Sequence, residues 1–162
     1  MCIRDSTEAI CKKIAQHLGK DEIDILPLSA DIELSKYKSI IIGASIRYGK
    51  YREDVFDFIE SNLELLNSKE NAFFSVNAVA RKPNKNRPEN NPYLIKFLEQ
   101  TNWVPKKMAV FAGKIDYPKY KFFDKYAIKF IMFVTNGPTD TSQTYEFTDW
   151  DEVKIFSKDL NL

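Results

Sequence analysis

Ser39-Ile40-Ile41-Ile42-Gly43 is the stretch on which the fold of this chain turns. Its apolar residues are consecutive rather than alternating, the pattern of a strand covered on both faces of a parallel sheet. Two further apolar strands follow, at Asn71 to Asn77 through Phe73, Phe74 and Val76, and at Lys107 to Gly113 through Met108, Val110 and Phe111. Glu22 to Leu28, with Ile23, Ile25 and Leu26 ahead of Pro27, suits another strand. Ser29 to Lys36 is short and acidic, a weak helix at most. Helical spacing fills the intervals. Ile10, Ile14 and Leu18 recur over Thr7 to Leu18, with Ser6 or Thr7 as a cap and Gly19 as a stop. Val55, Phe56, Ile59, Leu63 and Leu66 share one face of a helix over Tyr51 to Leu66. A polar loop from Arg81 to Asn91 leads to a helix at Tyr93 to Gln100, and Asp149 to Leu160 predicts a closing helix. Helices alternating with apolar strands imply right-handed crossovers and a parallel sheet covered on both sides, a doubly wound α/β class.

The 162 residues suit one domain, 1–162, with its own core. Hydrophobic residues at 44% and charged residues at 29% describe an ordinary globular chain rather than a disordered one. No apolar run is long enough for a membrane span, and the start has no signal-peptide core, so a cytoplasmic protein with at most peripheral membrane contact is expected. Cys2 and Cys11 have neither metal-ligand nor disulfide-framework spacing, and His17 is the single histidine, so no metal site is expected. His17 falls near the end of a helix, facing its dipole, and receives no catalytic role.

The net charge of +1 hides an uneven distribution. Arg81, Lys82, Lys85 and Arg87 form one basic cluster, suited to anionic substrate groups, anionic lipid or plain solvation. The second lies in residues 115–147, too long an interval for a simple connection. There Lys119, Lys121, Lys125 and Lys129 interleave with Tyr120, Phe122, Phe123, Tyr126, Phe130, Ile131 and Phe133. Lysines 121, 125 and 129 share one helical face, and the opposite side is apolar and aromatic, as on a helix at a membrane surface or over a flat apolar ligand. Such aromatics on an apolar helix do not suit nucleic acid, which stacks on exposed sheets. An open parallel sheet binds ligands beyond the carboxyl ends of its strands, where the winding reverses, which points to the loops after Gly43 and Val76.

Three segments resemble the flavodoxin-like, menaquinone-dependent protoporphyrinogen IX dehydrogenases: Ile41-Ile42-Gly43-Ala44-Ser45-Ile46-Arg47-Tyr48-Gly49, Phe74-Ser75-Val76-Asn77-Ala78-Val79-Ala80-Arg81-Lys82-Pro83, and Tyr117-Pro118-Lys119-Tyr120 continuing to Thr148-Asp149-Trp150. The likeness runs from about Thr7 to the end. It implies a flavodoxin-like sheet of order 2-1-3-4-5 with a long basic, aromatic insertion after the fifth strand. It also implies FMN, oxidation of protoporphyrinogen IX in haem biosynthesis, and electron delivery to menaquinone from the cytoplasmic face of the membrane. The flavin is expected against Ala44, Ser45, Ile46, Arg47, Tyr48 and Gly49, with Gly43 and Gly49 allowing close approach, and against the backbone of Asn77, Ala78, Val79, Ala80 and Arg81. Tyr48 is placed to stack on the ring. Arg47, Arg81 and Lys82 are candidates for substrate propionates, and Lys119, Tyr120, Lys121, Phe122, Phe123 and Tyr126 for substrate or membrane contact. No general base is identifiable. A flavodoxin-type electron carrier, whose surface is ordinarily acidic, and an NAD(P)H-dependent quinone reductase are the rival functions.

The resemblance also implies an opening apolar strand and a Ser-Thr-x-x-Gly-x-Thr loop holding the FMN phosphate at a helix amino end. Here Met1-Cys2-Ile3-Arg4-Asp5-Ser6 stands instead. Residues 1–6 are read as non-native, the first strand as missing or replaced, and Ser6 and Thr7 as what is left of the phosphate site. Hydrogen bonds to charged groups contribute about 1.5–3 kcal/mol each. Without that loop, weakened FMN binding and a destabilised sheet are expected.

Overall fold

The computed structural model describes residues 2–19, 22–29 and 31–160, with side chains from Asp5 onward. Three parallel strands, β1 (Ser39–Ser45), β2 (Glu70–Val76) and β3 (Lys107–Phe111), pair in that order. Around them run α1 (Cys2–Leu18), α2 (Glu53–Ser61), α3 (Leu63–Ser68), α4 (Pro92–Gln100) and, near the end, α6 (Trp150–Asp159). Between β3 and α6 stand a short antiparallel hairpin, β4 (Lys114–Asp116) with β5 (Thr144–Glu146), and helix α5 (Phe122–Val134).

Every residue of β2 after Glu70 is buried, as a central strand with both faces covered requires. Its side chains alternate between two cores. Phe73 points into one face, where its ring stacks on Phe97 of α4 with centroids 4.3 Å apart, among Ile59, Leu66 and Trp103. Phe74 and Val76 point into the other, against Ile10 and Ile14 of α1, Val153 and Phe156 of α6, and Leu160 just beyond it. Local signals explain several boundaries. Asn91 and Asp149 cap α4 and α6 with side-chain oxygens that accept two backbone N–H groups each.

Four expectations change. The helix at Thr7 begins at Cys2, so Ser6 and Thr7 lie within it rather than at its cap. The Ser6 hydroxyl instead accepts from the Lys114 N–H at 2.9 Å. Glu22 to Leu28 forms no strand: a strand needs a hydrogen-bonded neighbour, and no strand among the described residues pairs with β1 on its other edge. Ile25 and Leu26 are accordingly exposed. The expected helix over Tyr51 to Leu66 is two helices, broken at Asn62, whose amide turns back to the Phe58 carbonyl at 2.8 Å. The insertion starts as a hairpin and a turn at Tyr117–Lys119, and its helix begins only at Phe122.

Gly43 proves to be a packing residue. A Cβ there would fall inside the Phe74 ring, so the strand can lie against the aromatic core only without a side chain. Replacing Gly43 by Ala is expected to cost about 2 kcal/mol through overpacking. Phe74→Leu in the same chain should recover part of that loss by vacating the space. Urea midpoints of the two single variants and the double variant check this, and strict additivity would contradict it.

Candidate functional site

The register of β1 against β2 brings the two expected loops together. Ser45 lies opposite Val76, the Ile46 N–H donates to the Val76 carbonyl at 2.9 Å, and the Asn77 N–H donates to the Phe111 carbonyl at 2.9 Å. Both chains therefore leave the sheet side by side at its carboxyl rim. Ala44 and Ile46 are buried beneath it.

Beyond β1 the chain reverses at Arg47–Lys50, whose backbones exchange hydrogen bonds of 2.9 and 3.2 Å. Tyr48 and Gly49 both adopt positive φ, 50° and 80°, the signature of a type I′ turn. Glycine does this without penalty; a tyrosine there is strained by about 1–2 kcal/mol. The Tyr48 ring is 67% exposed, with the Arg47 guanidinium 5.0 Å from its centroid. Its phenol hydrogen-bonds the Asp124 carboxylate in the first turn of α5.

The loop beyond β2 is pinned from below. The Asn77 side chain is 1% exposed and turned inward: its Oδ1 accepts from the Ala80 N–H and the Asn91 amide at 3.2 and 3.1 Å, and its Nδ2 donates to Ser75 Oγ at 3.0 Å. The Tyr51 phenol donates to the same Ser75 Oγ at 2.6 Å. Burial raises the pKa of that phenol well above its ordinary value, the Ser75 bond offsetting this only in part, so it stays a donor. This network joins β2, the approach to α2 and the cap of α4. The Asn77 backbone is engaged too, its N–H with Phe111 and its carbonyl with the Ala80 N–H, so Asn77 anchors the loop. Next comes one 3-10 turn, Ala78–Arg81. Its first N–H groups, those of Ala78 and Val79, have no acceptor inside the turn.

Arg81, expected among the substrate contacts, is engaged elsewhere. Its guanidinium donates to the Ala78 carbonyl at 2.7 Å and to the Thr135 carbonyl and Oγ1 at 2.9 and 2.7 Å. Tyr120, expected at the surface, is buried edge-on to Tyr117 beside Ile115 and Met132. Lys119 reaches Asp116 at 3.4 Å. Phe122, Phe123 and Tyr126 are exposed, as are Phe130, Ile131 and Phe133 of the interleaved pattern and, beyond it, Val134. Lys121 is exposed and Lys82, Lys125 and Lys129 are half-buried. No helix among the described residues is long and apolar enough to cross a membrane.

A groove of about 390 Å³ shares Ile46 and Gly49 with the expected flavin loop and continues over Tyr51, Phe56, Tyr93 and Lys96. Sequence reasoning singled out Ile46 and Gly49 but not the other walls, which come from separate elements.

For the buried network, Asn77→Ala is expected to cost about 2 kcal/mol, because it removes the Ser75 bond and leaves one N–H of the Asn91 amide without its acceptor in a dry site, while the Ala80 N–H keeps the Asn77 carbonyl. Urea unfolding checks this. A loss below about 0.5 kcal/mol, the scale of an ordinary surface change, would contradict the pinning role.

A family model described as "Flavodoxin domain" matches residues 5–142. The protoporphyrinogen IX dehydrogenase [quinone] of Escherichia coli (strain K12) is 39% identical over 158 residues, covering 92% of this chain and 87% of that protein. The protoporphyrinogen IX dehydrogenase [quinone] of Leishmania major is 40% identical over 160 residues, covering 95% of this chain and 69% of that protein. No solved structure matches. A domain match across most of the chain and identities of this size over nearly all of it carry one conclusion: the chain belongs to the flavodoxin-domain family, among the protoporphyrinogen IX dehydrogenases [quinone], and is an oxidoreductase.

Proposed function

We propose that this chain oxidises protoporphyrinogen IX with FMN and passes the electrons to menaquinone at a membrane surface, as a step of haem biosynthesis. The observation that carries the proposal is the Ser45–Val76 register, which sets the two loops of the resemblance side by side at the carboxyl rim. The ring end of the cofactor fits there. Ala44 and Ala80 are small and buried there, the Ala78 and Val79 N–H groups have no acceptor inside their turn and would serve the polar edge of a ring, and the Tyr48 ring is exposed. The phosphate end fits less well, since Ser6 and Thr7 lie inside α1 and the Ser6 hydroxyl already serves Lys114. No phosphate contact is assigned to them.

When bound, the flavin supplies two-electron oxidation, repeated until the macrocycle is aromatic. The protein's share is placement. The Ala78–Arg81 turn and Tyr48 would hold the ring, and Arg47, an exposed residue, would pair with a substrate propionate. Arg81 serves the loop rather than the substrate. Phe122, Tyr126, Phe130 and Phe133 recur at helical spacing on the outward side of α5, with Lys125 and Lys129 along its border. That amphipathic face suits the headgroup region of an anionic bilayer, where a lipid quinone resides.

The test is an anaerobic assay of the FMN-reconstituted chain with protoporphyrinogen IX and a menaquinone analogue. Fluorescent porphyrin should form only with both FMN and quinone present. Consumption of NADPH with quinone and no porphyrin would replace this reading with that of a nucleotide-dependent quinone reductase.

A further inference from the structure

Helix α5 reaches both loops of the rim, one at each end. In its first turn, Asp124 accepts the phenol hydrogen of Tyr48, at the tip of the turn after β1. Just past its last turn, Thr135 accepts from the Arg81 guanidinium through its carbonyl and its hydroxyl, at 2.9 and 2.7 Å. Arg81 in turn closes the 3-10 turn after β2 by donating to the Ala78 carbonyl. These ties join residues 76 and 54 positions apart, so they are tertiary contacts rather than local chain geometry. The helix between them spans about 20 Å, enough to bridge a ring-sized opening.

The strap is seated as well as tied. Met132 is fully buried against Ile115, Tyr117 and Tyr120, with Ile128 packed beside them. The Gly137 N–H closes the helix on the Met132 carbonyl at 2.7 Å. A Cβ at Gly137 would press on the ends of the Met132 and Arg81 side chains, so the glycine leaves both in place without a shift.

We infer that α5 is a strap fixed across the two loops of the rim, and that Asp124 is a positioning residue that sets the direction of the Tyr48 ring over the site. The inference rests on the reading of the rim as the ring site. Strained backbone at an exposed tyrosine persists only where the surroundings over-determine it. Around Tyr48 the exchanged Arg47–Lys50 bonds and the Arg47 guanidinium come from its own turn. Asp124 holds it from another element, and so links the turn to the helix. Anything that binds the outward aromatic face of α5 therefore bears on both loops together.

Amide hydrogen exchange on the full chain without cofactor tests the tie directly. Asp124→Ala and Tyr48→Phe should each speed exchange at the Arg47 and Lys50 amides roughly fivefold, the worth of one lost hydrogen bond. Asp124→Asn, which keeps an acceptor, should stay close to the unmodified chain, and exchange at Met132 should not move in any variant. In the reconstituted enzyme, Asp124→Ala should raise KM for the porphyrinogen several-fold with kcat little changed, and Asp124→Asn should restore it. Unaltered exchange at residues 47 to 50 in both Asp124→Ala and Tyr48→Phe overturns the strap. A chain that shows the exchange pattern but turns over no porphyrinogen retains the strap and loses the function proposed above.

Discussion

The parallel pairing of β1 with β2, in the register that sets Ser45 against Val76, is the constraint on which the rest depends. β2 is buried on both faces, so its register is fixed from two sides at once. A slip of one residue would exchange Phe73 and Phe74 between the two cores and carry Gly43 away from the one ring that needs its missing side chain. Aromatic packing thus decides where the loops after both strands emerge. The rim is a consequence of the core.

Upon that rim two kinds of order meet. Below it, Ser75, Asn77, Asn91 and Tyr51 form a buried polar network in which each amide and hydroxyl finds a partner, and this holds the Ala78–Arg81 turn by its root. Above it, contacts from the insertion reach the tips of the same loops. A dry network is worth most when fully satisfied, which makes the lower anchor stiff, whereas the upper ties are more exposed and weaker. The loops are therefore held most firmly at their bases and tied a second time at their tips.

Much of this was legible in the chain. Consecutive apolar residues in Ser39 to Gly43 and around Phe73 and Phe74 identify buried parallel strands, and the loops after them follow from how such sheets bind ligands. The helices after Asn91 and Asp149 were legible from their apolar spacing, and the caps those two residues form emerge only in the structure. Other features depend on partners far along the chain and leave no local trace. Glu22 to Leu28 has the composition of a strand, yet composition cannot supply the neighbouring strand it would pair with. Tyr120 looks like its exposed aromatic neighbours, and only the hairpin beneath it makes it core. Arg81 reads as a ligand for anions until Thr135 arrives to occupy it. The strain at Tyr48 and its bond to Asp124 had no signal in spacing, since nothing in Arg47-Tyr48-Gly49 foretells contact with a helix that begins at Phe122.

The most direct measurement is a backbone amide NMR titration of the isotope-labelled chain with FMN. A ring held at the rim should shift the amides of Ala44 to Gly49 together with those of Ala78 to Arg81, both sets saturating with one affinity. Shifts gathered instead around Tyr51, Phe56, Tyr93 and Lys96 in the neighbouring groove, with the rim amides unmoved, would contradict a flavin site between the two loops.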